Sequence, residues 1–118
     1  METREAIFSL QYSEKMKSGL IIGTNLLGQL VSLKNEELSG GKKVLVWYLE
    51  GLLREIRIAE SVLGLDHYLD LERKVMELIG RIHMSQFQEA QGSFSEAISL
   101  ATTSCQAAMI FLMEKKLV

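Results

Sequence analysis

Residues 42–63 read KKVLVWYLEGLLREIRIAESVL. Leu45, Leu49, Leu52, Ile56, Ala59 and Leu63 recur at steps of four, three, four, three and four, which puts an apolar seam on one face of a helix. The opening run from Val44 to Leu49 would pass locally for a buried strand. Its length and the sustained helical period decide for a helix. Glu50 and Arg54, one turn apart on a polar face, add a favourable pair.

Downstream, Gly64 reads as a helix stop and Asp66 as the N-cap of a third helix. That helix spans residues 67–90, with Tyr68, Leu71, Val75, Leu78 and Ile82 as its seam. Arg73–Glu77 and Glu77–Arg81 form a solvated ladder on another face. Gln91-Gly92 ends it, and Ser93-Phe94-Ser95-Glu96 has the form of a capping box, serine at the N-cap and glutamate three residues on. A fourth helix then runs to about Lys115, where Lys115 and Lys116 suit the negative end of the helix dipole.

Upstream, a first helix begins near Thr3 and reaches as far as Leu38. Its tail merges into a connection at residues 34–43, KNEELSGGKK, in which Ser39-Gly40-Gly41 is the strongest turn signal of the chain. Leu10, Met16 and Leu20 share one face of this helix. Gly19, Gly23 and Gly28 lie inside it, each costing nearly ~1 kcal/mol against alanine, so a packing reason is expected. The chain of 118 residues has no proline, where average usage of about 5% predicts roughly six. Uninterrupted helices account for that absence, because proline breaks helix interiors. The expected architecture is all-α: one domain over residues 1–118, an up-and-down four-helix bundle whose first helix is the longest and is free to bend at Gly19 or Gly23.

Two stretches stand out. Residues 18–33 and residues 97–113 contain no Asp, Glu, Lys or Arg. A surface helix normally keeps one charged or polar face. These two keep only neutral groups such as Thr24, Asn25, Gln29, Thr102, Thr103 and Gln106. They are also rich in small residues: Gly19 and Gly23 in the first, Ala97, Ala101, Cys105 and Ala108 in the second. Small side chains at helical spacing let two backbones approach closely.

Three readings compete. Helices one and four pack tightly inside a subunit and also meet a second subunit, making a two-fold homodimer. Alternatively, the outer faces are simply neutral on a monomer, or the stretches cross a membrane. For a membrane both fall short of the roughly 20 apolar residues a span needs. The first reading makes Gly19, Gly23, Ala97, Ala101 and Ala108 interface residues. It carries a condition: protein must cover residues 18–33 and 97–113, and a subunit that leaves them half bare counts against it. Trp47 lies off the seam, with Gly51 and Ile58 on its own face; ordinary packing at the edge of the core is the favoured reading of such a residue, and a partner contact, which adds it to the interface set, is the other.

Chemistry is sparse. Neither His67 nor His83 has a glutamate three residues before it, so the di-iron bundle pattern is missing. There is no His-Glu-x-x-His. The one Glu-x-x-Glu, Glu2 and Glu5, lies at the chain start, so the paired magnesium-holding carboxylates of helical pyrophosphatases are not reproduced. Asp66, His67 and Asp70 cluster at a helix start and are the metal candidates, although acids there usually serve the helix dipole. Lys42 and Lys43, after the two glycines, are anion candidates at a helix N-terminus, without the full phosphate-loop pattern. Cys105 reads as a buried inert thiol, and the methionines as core filler.

The formal net charge is −2 with scattered lysines and arginines, which argues against a nucleic-acid footprint. The start, Met-Glu-Thr-Arg-Glu, lacks the basic opening of a signal peptide, so a cytoplasmic location is expected. The composite expectation is a helical interaction or assembly protein, homodimeric, with no cofactor, no nucleic acid and no membrane. The alternative is a ligand- or metal-binding bundle, or an enzyme, with a site assembled from several helices.

Overall fold

The seam of residues 45–63 does form one helix face. The computed structural model of the chain, which describes every residue except Leu65, holds four helices among those residues: α1 (Thr3–Leu30), α2 (Asn35–Leu63), α3 (Leu69–His83) and α4 (Phe87–Glu114). Leu45, Leu49, Leu52, Ile56 and Ala59 are buried, and Leu63 is half-buried against them. On α1 the buried positions are Ala6, Ser9, Ser13, Met16, Leu20, Gly23, Leu27 and Leu30, an unbroken alternation of three and four. The α3 seam is buried as its spacing predicts, at Tyr68, Leu71, Val75, Leu78 and Ile82.

Each helix packs on its neighbours in sequence, and α4 closes the ring on α1, so the chain runs up, down, up and down. The α1–α4 contact is the most extensive. Both helices are 28 residues long and lie antiparallel over their full length, with Gly23 beside Phe94 and Ser13 beside Ser104. A Cβ on Gly23 would sit 2.7 Å from the Phe94 ring. The glycine is therefore the space in which a fully buried aromatic lies. Ala97, Ala101 and Ala108 are likewise buried inside the chain.

Three boundaries differ from the sequence reading. The α1–α2 turn falls at residues 31–34, not at Ser39-Gly40-Gly41, which are helical. Asn35 supplies the left-handed step (φ 55°) that the glycines were expected to supply. Gly41 has a different role. A Cβ there would meet Leu30 Cδ1 at 2.6 Å, so the residue lets α2 cross closely over the end of α1. Glu36 and Glu37 sit in the first turn of α2, the favourable end for acids.

The break between the third and fourth helices lies at residues 84–86, and Gln91, Gly92 and the supposed capping box are inside α4. The stop is a Schellman turn. The Ser85 amide donates to the Ile82 carbonyl at 3.0 Å and the Gln86 amide to the Arg81 carbonyl at 2.8 Å, with Ser85 at φ 59°. Serine replaces the usual glycine, which hid the signal. Ser93 Oγ donates to Glu77 Oε2 at 2.7 Å instead of capping a helix, and Glu96 pairs with Lys74 at 2.8 Å. Glu77 is thus held by Lys74 and Arg81, with Lys74 taking the place expected for Arg73. Asp66 is not an N-cap: α3 starts at Leu69, behind Tyr68. Consequently α3 has only 15 residues, and α2, with 29, is longer than α1.

Candidate functional site

The polar candidates converge where α3 begins, alongside the N-terminal part of α1 and the C-terminal part of α4. A groove of about 320 Å³ there is lined by Asp66, His67, Asp70, Ser9 and Ser104, among others. Ser9 and Ser13 occupy core-facing seam positions, so their hydroxyls need partners. Tyr68 donates its hydroxyl to the Ser9 carbonyl at 3.1 Å and lies 2.8 Å from Ser13 Oγ. Ser13 Oγ is 2.7 Å from Ser104 Oγ, which is 3.4 Å from Ser9 Oγ, and Ser9 Oγ is 3.0 Å from His67 Nε2. The set is mutually satisfied. It ties α1, α4 and the α2–α3 link together, and it uses neither Asp66 nor Asp70.

A serine–histidine contact invites a nucleophilic reading, which the surroundings do not support. Ser9 is buried, and the amides beside it are spent in the α1 ladder, so no backbone donor is free to hold an oxyanion. Among the described residues no three His, Cys, Asp or Glu side chains come together as a metal site.

Lys42 and Lys43 do not form an anion-binding loop, because the glycines before them are helical. Lys42 Nζ donates to the His83 carbonyl at 3.2 Å and to Ser85 Oγ at 2.8 Å. It thereby places a cation at the negative end of α3, while Lys43 is exposed. Cys105 is half-buried rather than buried. Burial, with Glu14 adding to it and Lys17 opposing, raises its pKa, which keeps the thiol protonated.

One buried ionisable group was not foreseen. Glu60 is 4% exposed, and its Oε2 has no hydrogen-bond partner. Burial raises its pKa, the neighbouring Glu72 carboxylate raises it further, and Arg57 opposes. Arg57 Nε donates to Glu72 Oε1 at 3.0 Å. The available signal was a step of seven: Val46, Leu53 and Glu60 stand on the α2 flank that packs on α3, and all three are buried.

The two uncharged stretches separate. On α4 the outward positions Ser95, Ser99, Thr103 and Gln106 are neutral and polar, with large apolar groups exposed only near the end, at Ile110 and Met113. On α1 the outward positions include Ile21, Ile22 and Leu26, and Val31 follows at its C-cap, all exposed. Beside them on α2 stand Val44 and Trp47, the latter 64% exposed. Nine of the sixteen residues 18–33 are exposed on the single chain and six of the seventeen residues 97–113, so the first stretch fails the coverage expected of it and the second is mostly covered. Gly23, Ala97, Ala101 and Ala108 face the interior, so these four do not form an outer interface, whereas Gly19, half-buried against Leu52 and Tyr48, opens only into the α1–α2 groove. Of the residues named from sequence for an interface, only Trp47 stands in the open. Of the methionines named as core filler, Met16 is core, whereas Met76, Met84 and Met113 are exposed.

Between α1 and α2 the exposed apolar groups border a groove of about 760 Å³, with Gly19, Gly51 and Tyr48 in its walls and Trp47 and Ile22 along its edges. Lys15 and Glu55, paired at 2.9 Å, cross one end. A smaller apolar groove of about 260 Å³, lined by Leu26, Leu33, Gly41 and Val44, continues along the same two helices. No family model, no curated protein and no solved structure matches this chain.

Proposed function

We propose that the protein is a cytoplasmic helical interaction module that works as a homodimer. The missing charges in the two stretches do not carry this reading, since residues 18–33 are half bare on the single chain; what carries it is the apolar surface shared by α1 and α2, where Ile22, Leu26, Val44 and Trp47 stand exposed together. Large exposed apolar patches on small domains mark contact surfaces, and an exposed tryptophan is the residue type most enriched among binding hot spots. The lone cysteine, with no disulfide to form within the chain, supports a reducing location.

A lipid-facing role is the competing use of an apolar surface. By length and composition α4 alone qualifies as a membrane-crossing helix among the described residues. Its outer face carries Ser95, Ser99, Thr103 and Gln106, whose side chains need hydrogen-bond partners that lipid does not supply. The mutually bonded hydroxyls around Ser9 do not favour the ligand-binding alternative, since no buried donor or acceptor there waits for a ligand.

Light scattering after gel filtration tests the proposal. The expected mass is twice the 13.3 kDa of one chain. A mass of one chain at high micromolar concentration would sink it.

A further inference from the structure

Resting on the homodimer reading, we propose that the second copy docks on the α1–α2 groove, with Trp47 of each subunit lying across Gly51 in the groove of the other. A two-fold contact requires one surface to carry both halves of the fit, so that what one copy inserts the other receives. The α1–α2 face does so within a single helical turn. Trp47 projects at 64% exposure. Four residues on, Gly51 is open: a Cβ built there meets only Arg54 Nη2, at 3.8 Å. The groove over Gly51 and Gly19, about 760 Å³, has room for an indole and for the Ile22 side chains that flank it.

Because Trp47 and Gly51 follow one another along α2, exchanging them between copies sets the two α2 helices antiparallel. Residues beyond the crossing then come into register. Val44, exposed over the smaller apolar groove, then lies opposite the stem of the partner's Arg54, and the exposed Ile58 lies opposite the partner's Gly40.

The charges favour a copy of the chain over a partner of one sign. The groove is bordered by Lys15, Arg54 and Glu55, and Lys15 and Glu55 neutralise each other at 2.9 Å. Among the described residues Arg54 is then the one unneutralised charge on the rim, too little to hold a nucleic acid or an acidic peptide, which need clustered positive charge. A second copy presents the same paired charges and meets little repulsion. On α4 the outward residues Ser95, Ser99, Thr103 and Gln106 are neutral and polar, and the exposed Ile110 and Met113 have no glycine one turn away to receive them.

The test uses the full chain and three variants, each checked for native helix content by circular dichroism and weighed by light scattering across a dilution series. Trp47→Ala removes the inserted group. Gly51→Gln fills the groove at a position where the subunit has space and where the helix gains propensity, so the subunit stays folded. Ile110→Glu charges the far face of α4. The proposal expects a dimeric wild type, a dissociation constant at least about 30-fold weaker for Trp47→Ala and for Gly51→Gln, and an unchanged dimer for Ile110→Glu. A wild-type dimer that survives Trp47→Ala and Gly51→Gln but falls apart in Ile110→Glu overturns this interface and leaves the homodimer standing. A monomeric wild type overturns both, whether or not it binds phosphatidylcholine vesicles in a parallel flotation.

Discussion

Tyr48 reaches from α2 to α1 and donates its hydroxyl to the Gly19 carbonyl across 2.7 Å. The bond is possible because Gly19 has no side chain: a Cβ there would lie 2.9 Å from Leu52 Cδ1 and 3.5 Å from the Tyr48 oxygen. The glycine thus brings the two helices close enough for a phenol to bridge them, and the bridge forms part of the α1–α2 groove wall. Burial raises the pKa of Tyr48, so the hydroxyl stays a donor. Tyr48→Phe is expected to lower stability by about 1 kcal/mol in urea melts, the usual net worth of such a bond. An unchanged midpoint would mean that the bridge is idle.

Gly23 and Gly28 should respond in opposite directions to the same substitution. At Gly23 an added methyl meets the Phe94 ring at 2.7 Å, and the ring is fully buried. Overpacking of this kind typically costs about 1–3 kcal/mol, which exceeds the roughly 1 kcal/mol gained in helix propensity. At Gly28 a Cβ meets nothing within 4 Å. Gly23→Ala should therefore destabilise and Gly28→Ala should stabilise by up to ~1 kcal/mol, read from thermal melts of the two variants side by side.

Much of this architecture was readable from spacing, and the exceptions have physical reasons. The seams of α2 and α3 were visible because Leu, Ile and Val at three–four steps have no other use in a helix. The turns were misplaced because the residues that take positive φ at the helix ends, Asn35 and Ser85, are not glycine. The glycines that attracted attention, Gly41 and Gly92, are helical. Gly41 serves close packing, a purpose that a single chain of letters does not distinguish from a turn. The lack of charge in residues 18–33 and 97–113 is plain in the sequence. Sequence could not say that α1 would turn isoleucines outward while α4 turned out serines and threonines, because this depends on which helix each one packs against. Trp47 was legible as an off-seam aromatic. Glu60 was missed because a glutamate next to a seam looks solvated until α3 covers it.

Glu60 makes the stability of the protein depend on pH in a direction opposite to that of most carboxylates. Its folded pKa is raised above the ordinary 4.5 by burial and by Glu72. The folded chain therefore holds this proton more tightly than the unfolded chain does. The contribution is fully present below the unfolded pKa and is lost as pH rises through the raised folded value. Glu60→Gln has no proton to lose. It should match the wild type most closely near pH 4 and exceed its stability at pH 8, measured by urea denaturation at both values. A variant less stable at pH 8 would contradict the assignment.

Ser93 offers a test of the corrected helix boundary. Its hydroxyl is the largest cause of the lowered pKa of Glu77, followed by Lys74. Glu77 is partly exposed, so the energy at stake is small. The sign is clear: its contribution is present above the unfolded pKa and disappears as pH falls through the lowered folded value. In Ser93→Ala the Glu77 titration followed by NMR should move upward, with amide protection in residues 93–96 unchanged. A serine acting as a helix cap would give the reverse, frayed amides and a stationary titration.

The most direct test of the homodimer is the emission of Trp47, the single tryptophan of the chain, followed with an added quencher as the protein is diluted from hundreds of micromolar to nanomolar. Coverage by a second copy predicts blue-shifted, quencher-protected emission at the high end that turns red and accessible on dilution. Emission that is red and fully quenchable at every concentration would contradict it.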